Sequence, residues 1–302
     1  MANYKSFEEI YNAVMLAIGD LSYGRKEEVK AVVNMIYLNE IQSVDELYPL
    51  FWLLETDDTK KSKDPVTAIT SITKATPPVV TSVAHGLVTG DLVTLYDSDM
   101  TEINYQTCHF TRTSADAGSL QDLSKTSIAG LGYAAAGTTG KMHHRGVTLT
   151  ACKRVLLANW HGYSPGMEFL SPKEIADQTT WLDESTSRPT KMLYRKVYTA
   201  AGAEYDYLLW FQAADDAYDL HLWYEKNIDR LSATTDVPVG PPQVADAIIA
   251  GAIMRLVKNE VQVENAVVWP SVYKSNLEAI KSMNRKWWEN MKQSERSGLY
   301  LP

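Results

Sequence analysis

Thr56-Asp57-Asp58-Thr59-Lys60-Lys61-Ser62-Lys63-Asp64-Pro65 is the stretch on which the reading of this chain turns. It has six charged side chains in ten positions and no large apolar residue, so it reads as a polar linker. On its N-terminal side the apolar residues recur at helical spacing. On its C-terminal side the chain becomes rich in Thr, Ser, Gly and Val, the composition of short strands and turns.

Upstream, Ser6 followed by Glu9 is a capping box. Phe7, Ile10, Tyr11, Val14, Ile18 and Leu21 then follow one helical face, and Gly19 and Gly24 punctuate its end. A second helix is predicted from about Arg25 to Gln42, with Val29, Val32, Val33, Ile36 and Tyr37 inward. Leu47-Tyr48-Pro49-Leu50-Phe51-Trp52-Leu53-Leu54, broken by Pro49, reads as a short extended piece entering a core.

Downstream, Val79–Val83, Leu92–Tyr96 and Gln106–Thr111 read as strands of a small all-β module. Its exit is the Gly/Ala/Thr-rich stretch 129–140. Val155–Ala158 and Leu193–Tyr198 read as further strands. Tyr205–Phe211 and Tyr218–Tyr224 are expected to form a hairpin through residues 212–217, with Tyr218, Leu220, Leu222 and Tyr224 on one face. Pro238, Pro241 and Pro242 close this region. A helix from about Gln243 to Asn259 is apolar nearly all round and must be covered on several sides. The last helix is expected to start near Pro270. Its stripe is Tyr273, Leu277, Ile280, Met283, Trp287 and Met291. Tyr273, Leu277, Ile280, Trp287 and Trp288 are its candidate packing or interface residues. Lys274, Lys281, Arg285 and Lys286 lie largely outside the stripe and read as a solvated face alternating with Glu278 and Glu289. The fold class is α+β: two N-terminal and two C-terminal helices that need each other, a β-rich middle, and an inserted β module. Residues 1–64 and 146–302 form the main body and 65–145 the insert.

Composition excludes several classes. The chain has 302 residues, 45% hydrophobic and 22% charged, which rules out wholesale disorder. Its 29 basic and 37 acidic residues give a net charge of −8, unsuited to wrapping nucleic acid over the whole surface. Residues 241–302 alone are basic, 8 Lys/Arg against 6 Asp/Glu. No apolar run approaches the ~18 residues of a bilayer span. The polar start predicts no secretory leader, and two cysteines, Cys108 and Cys152, make no disulfide framework, so a reducing cytoplasm is expected. With 8 Trp and 17 Tyr against 5 Phe, the aromatic balance suits protein interfaces.

No catalytic motif survives its own chemistry. Gly162-Tyr163-Ser164-Pro165-Gly166 matches a nucleophile elbow, but that elbow uses the backbone N–H after the serine, and Pro165 has none. A Gly/Pro turn is the better reading. Gly137-Thr138-Thr139-Gly140-Lys141 falls short of a phosphate-binding P-loop at Ala135 and Met142. His143-His144 lacks metal-ligand spacing and reads as a solvated loop pair. Asp57-Asp58 and Asp215-Asp216 read as turn residues. No catalytic, cofactor-binding or metal-binding residue is assigned, no cofactor is expected, and the chain is not expected to be an enzyme.

The order of these segments resembles a known family. Two N-terminal helices lead to Phe51-Trp52-Leu53-Leu54. A β-rich middle carries Trp181, then Arg188-Pro189, then Leu222-Trp223-Tyr224-Glu225. Val239-Gly240-Pro241-Pro242 precedes an Ala/Gly-rich helix and a long amphipathic one. Over residues 1–64 and 146–302 this resembles the head-to-tail adaptor (connector) proteins of tailed bacteriophages, especially short-tailed ones. The insert, with Ile69–Lys74, Pro78–Thr81, Ala84–Asp91 and Met100–Asn104, is similar to the small β-barrel of the first catalytic-cysteine half-domain of ubiquitin-activating enzymes. Ubiquitin chemistry is not expected, since no nucleotide-binding glycine motif is present and Cys108 lies in a predicted strand.

The adaptor resemblance implies a helical bundle with an inserted barrel and a homo-oligomeric ring, a dodecamer in that family. The ring would sit beneath the portal protein at the head–tail junction of the virion, after assembly in the host cytoplasm. It would extend the DNA channel, let packaged duplex pass without specific binding, and dock a tail or nozzle protein. Leu299, Tyr300, Leu301 and Pro302 are the expected portal-docking segment, against the alternative that they fold back near Trp287 and Trp288. Two other readings stand beside this one: a virion surface module whose insert recognises a host glycan or partner protein, and an unrecognised enzyme.

Overall fold

Ser6 Oγ accepts the Glu9 N–H at 3.3 Å and the Glu9 carboxylate accepts the Ser6 N–H at 2.7 Å, so the first helix begins with both halves of a capping box in place. In this computed structural model, residues 4–63, 67–129, 138–163, 167–171, 186–199, 201–257 and 268–296 are described. The fold is mixed α+β, and the chain divides into two compact units, Met1–Leu54 with Glu225–Pro302, and Glu55–Tyr224.

The first unit is helical. Helix α1 (Phe7–Ile18) buries Phe7, Ile10, Tyr11, Val14, Met15 and Ile18, and Gly19 closes it in the left-handed region at φ 74°. Leu21, placed on the same stripe by spacing, lies beyond that cap and is exposed. Helix α2 (Tyr23–Met35) continues through a π-turn at Ile36–Ile41, which rotates Ile36, Tyr37 and Ile41 into the core. Helix α3 (Pro242–Val257) packs on α1, α2 and α4 (Trp269–Arg296), which covers its apolar surface on several sides. Gly251 permits the closest of these approaches: a Cβ there would stand 2.8 Å from the Tyr273 ring. The Leu47–Leu54 stretch forms a single 3-10 turn, Phe51–Leu53, rather than an extended piece, and buries Leu50 and Leu53.

Two buried asparagines tie distant segments of this unit together. Asn34 exchanges hydrogen bonds with the Leu231 backbone in both directions, at 3.0 and 2.8 Å. Asn284, fully buried on α4, accepts the Phe51 N–H at 3.0 Å and donates to Asp45. Buried amides that satisfy backbone groups also fix register, because any slip leaves them unpaired.

The second unit is built of strands: β1 (Leu54–Asp57), β2 (Thr67–Ala68), β3 (Ser71–Ile72), β4 (Val79–Thr81), β5 (Asp91–Tyr96), β6 (Thr107–Arg112), β7 (Ala117–Gln121), β8 (Lys141–Leu149), β9 (Cys152–Trp160), β10 (Glu168–Phe169), β11 (Lys191–Tyr198), β12 (Glu204–Trp210) and β13 (Leu220–Lys226). Ten of them share one sheet in the order β10-β11-β12-β8-β5-β6-β7-β4-β3, with β2 also on β8. The other three form β1-β13-β9.

Three sequence expectations differ from this arrangement. The linker is partly structured: its start is β1, and Ser62 is fully buried between backbone bonds to Tyr218 and Asp216. β12 and β13 do not form a hairpin, because β11 and β8 occupy both edges of β12, and β13 joins the other sheet. The boundary drawn at 145/146 falls inside β8. One end of that strand supplies Met142 to a core with Ile72, Val80, Val93 and Phe110, and its other end supplies Val147 and Leu149 to a core with Trp160, Trp210, Leu220 and Leu222. Segment composition locates a module, but a strand shared by two cores leaves no compositional mark.

Candidate functional site

The residues singled out on the last helix pack within the helical unit. Tyr273 is buried and its hydroxyl donates to Glu40 at 2.6 Å, while Ile280 is fully buried and Leu277 packs against the same core. Trp287 stacks on Phe51 with ring centroids 5.4 Å apart. Trp288 stacks on Tyr48 and donates its indole N–H to the Pro49 carbonyl at 2.8 Å. These aromatics hold the chain before β1 against α4. Leu299, Tyr300, Leu301 and Pro302 lie outside the described residues, as do Ser164, Pro165 and Trp181.

The histidine pair is a correction. His143 and His144 sit in β8, 1% and 2% exposed, where alternation sends their side chains to opposite faces. His143 lies 4.7 Å from the Tyr96 ring, and burial, with the charges of Arg145 and Lys141, pulls it down to about 4. Arg145, also buried, bonds the Phe211 carbonyl at 2.7 Å and the Tyr96 hydroxyl. A solvated loop was expected because the pair has no metal-ligand spacing. Tyr96, Trp210 and Asp91 line their sites instead. Cys108 is buried and its thiol is pushed up to about 12, chiefly by desolvation, which suppresses the thiolate a nucleophile needs. Among the described residues no group of three or more His, Cys, Asp or Glu side chains is arranged to hold a metal ion.

The concavity with the most chemistry lies in the β unit, a cleft of about 320 Å³ that the sequence reading did not nominate. One wall is the former linker with Lys60, Lys61 and Lys63. The other comes from the start of β5, His109 of β6, Lys125 after β7, and Thr148 of β8. The lysine wall is held from behind. Ser62 N–H donates to Tyr218 O, Leu220 N–H donates to Lys60 O, and Lys63 N–H donates to His144 Nδ1 at 3.1 Å.

Charges here are unevenly matched. Lys61 pairs with Asp219 at 2.6 Å. Asp91 is buried at the cleft. Burial pushes its carboxyl up, but the His144 ring, the Val88 N–H at 2.8 Å and the charge of Lys63 outweigh that and hold it below the usual carboxylate value. Lys125 lies 3.9 Å from the Tyr205 ring centroid, and partial burial pulls its pKa down. His109 is 3% exposed with Nδ1 unpartnered among the described residues. Burial, then the charge of Lys125, pulls it down to about 4. Lys60-Lys61-Ser62-Lys63 was visible as a charge run. That it forms a wall depends on Ser62, whose burial no local pattern reveals.

No protein-family model and no curated protein matches this chain. Among the described residues no helix is long and apolar enough to cross a membrane.

Proposed function

We propose that this chain is a virion structural protein, a head-to-tail adaptor that forms a homo-oligomeric ring beneath a portal protein. The observation that carries the reading is that residues from both ends of the chain share one helical core, with every β-strand but the margins of β1 and β13 in the second unit. That is the order of elements the resemblance rests on. In this reading the four helices make a bundle that builds the ring wall, and residues 65–145 make an inserted barrel. The exposed apolar residues Leu16, Leu21 and Tyr23 at the α1–α2 corner support a role in subunit contacts, since clustered exposed apolar side chains mark interaction surfaces. The net charge of −8 suits a lumen through which duplex DNA slides without sticking. The segment Leu299–Pro302 docks onto the portal, and the ring also docks a tail or nozzle protein. No cofactor and no catalytic residue enter.

Negative-stain imaging of the full chain mixed with its cognate portal tests the reading. Rings stacked coaxially on portal particles are the expected result. A chain that stays monomeric beside intact portals overturns it, and glycan binding by such a chain would favour the surface-module alternative.

A further inference from the structure

We propose that the cleft between residues 59–63 and strands β5, β6 and β8 binds a phosphate-class oxyanion carrying about two negative charges. This inference is independent of ring formation.

The first ground is charge. Four lysines line the cleft, Lys60, Lys61, Lys63 and Lys125, against the carboxylates of Asp91, which lines it, and Asp219, which holds Lys61. Four cations against two anions leave a surplus of two. Neither Lys60 nor Lys125 has a carboxylate partner among the described residues. An ammonium pulled from water over an aromatic ring, as Lys125 is over Tyr205, gains more from an incoming anion than a fully hydrated one does.

The second ground is preorganisation. Exposed lysines on a mobile linker are poor anion receptors, since each must be immobilised on binding. Here the backbone that carries three of them is already pinned through fully buried Ser62. Its hydroxyl donates to Asp216 O at 2.8 Å and accepts the Tyr218 N–H at 2.7 Å.

The third ground is hydrogen-bonding capacity. Thr89 Oγ1 accepts the Arg112 N–H at 3.0 Å, which leaves its own proton to donate. His109 lines the same cleft, so its ring reports on an occupant. Asp91 is engaged by Val88 N–H and His144, so its charge is partly compensated. A metal cation meets the wrong sign of field here, and a single carboxylate uses only half of the surplus. Lysine ammoniums suit phosphate oxygens as compact point charges. The source of the phosphate is either a small molecule or the backbone of a nucleic acid.

Isothermal titration of the full-length chain at low salt, once with inorganic phosphate and once with a short DNA duplex, tests this. Phosphate is expected to bind, with affinity falling about tenfold in Lys63→Gln and again in Lys125→Gln, and falling as salt is raised. Lys274→Gln, at an exposed position of α4, should change nothing. The His109 ring resonances should shift on phosphate addition, with Lys125, Asp91, Gln121 and Tyr207 as the groups that face them. Lys60→Gln provides an independent variant on the opposite wall should Lys125→Gln fail to fold. Duplex binding that is lost in the same variants, without binding of free phosphate, assigns the source to a nucleic-acid backbone and upholds the site. If neither ligand binds, or if binding is indifferent to the substitutions at Lys60, Lys63 and Lys125 alike, the proposal is overturned.

Discussion

The helical unit collects its core from both ends of the chain: residues from Phe7 to Leu53 and from Ile228 to Ile280 line one cluster. The β unit does the reverse. Its core of Ile69, Ile72, Val80, Val93, Phe110, Leu120 and Met142 comes from a single stretch. Closing long loops costs entropy before any contact is gained. The β core can therefore assemble from its own segment, whereas α1 and α2 lack their main apolar partner until α3 exists. The second difference is in polar content. All six histidines lie in the β unit, four of them buried, while the buried polar anchors of the helical unit include two neutral amides, Asn34 and Asn284. One unit is thus exposed to acid in a way the other is not.

Excision of residues 65–145, bridged by Gly/Ser, should have the largest effect and should divide the two regions. The helical core contains none of those residues, so ellipticity at 222 nm and its cooperative melt should persist. The excision removes β5 and the half of β8 that carries the His144 carbonyl bonded by the Trp210 indole N–H, but keeps residues 146–149, which pair with β12, so the near-ultraviolet signal of Trp210 should fall. Retention of that signal would mean the second β core holds Trp210 without β5 and residues 141–145 of β8.

A smaller change should act on one unit alone. A Cβ at Gly118 would stand 2.1 Å from the Phe110 ring. Gly118→Val should cost about 3 kcal/mol by overpacking, lowering the melting temperature of the β unit by roughly 6–12 °C while sparing the helical transition. Differential scanning calorimetry resolves the two.

Acid should separate them more gently. His109 and His143 titrate in the folded protein at about 4, against about 6.5 in an unfolded chain. The folded state favours their neutral forms, so this contribution is complete above pH 6.5 and is lost as pH falls from there toward about 4. Urea midpoints across that window should decline for the β unit. His143→Phe should flatten the decline.

The smallest effect should come from the first helix. Ser6→Ala removes the side-chain half of the capping box and should cost about 1 kcal/mol, within the helical unit only. A thermal melt followed at 222 nm measures it.

The sequence determined by itself whatever depends on neighbours a few residues away. The Ser6/Glu9 box, the Gly19 stop, the all-round apolar α3 and the alternation of Leu220 and Leu222 are local patterns, and each stands where spacing puts it. Tertiary structure alone decided which edges pair and which polar groups are buried. β12 and β13 look like hairpin partners until both edges of β12 are seen to be taken. His143-His144 looks solvated until Tyr96, Asp91 and Trp210 close around it. The lysine run of the linker looks like a spacer until Ser62 binds Asp216 and Tyr218, residues more than 150 positions away, and turns it into the wall of a cleft. Strand pairing and polar burial are settled by long-range partners, and a single sequence read in windows contains no term for them.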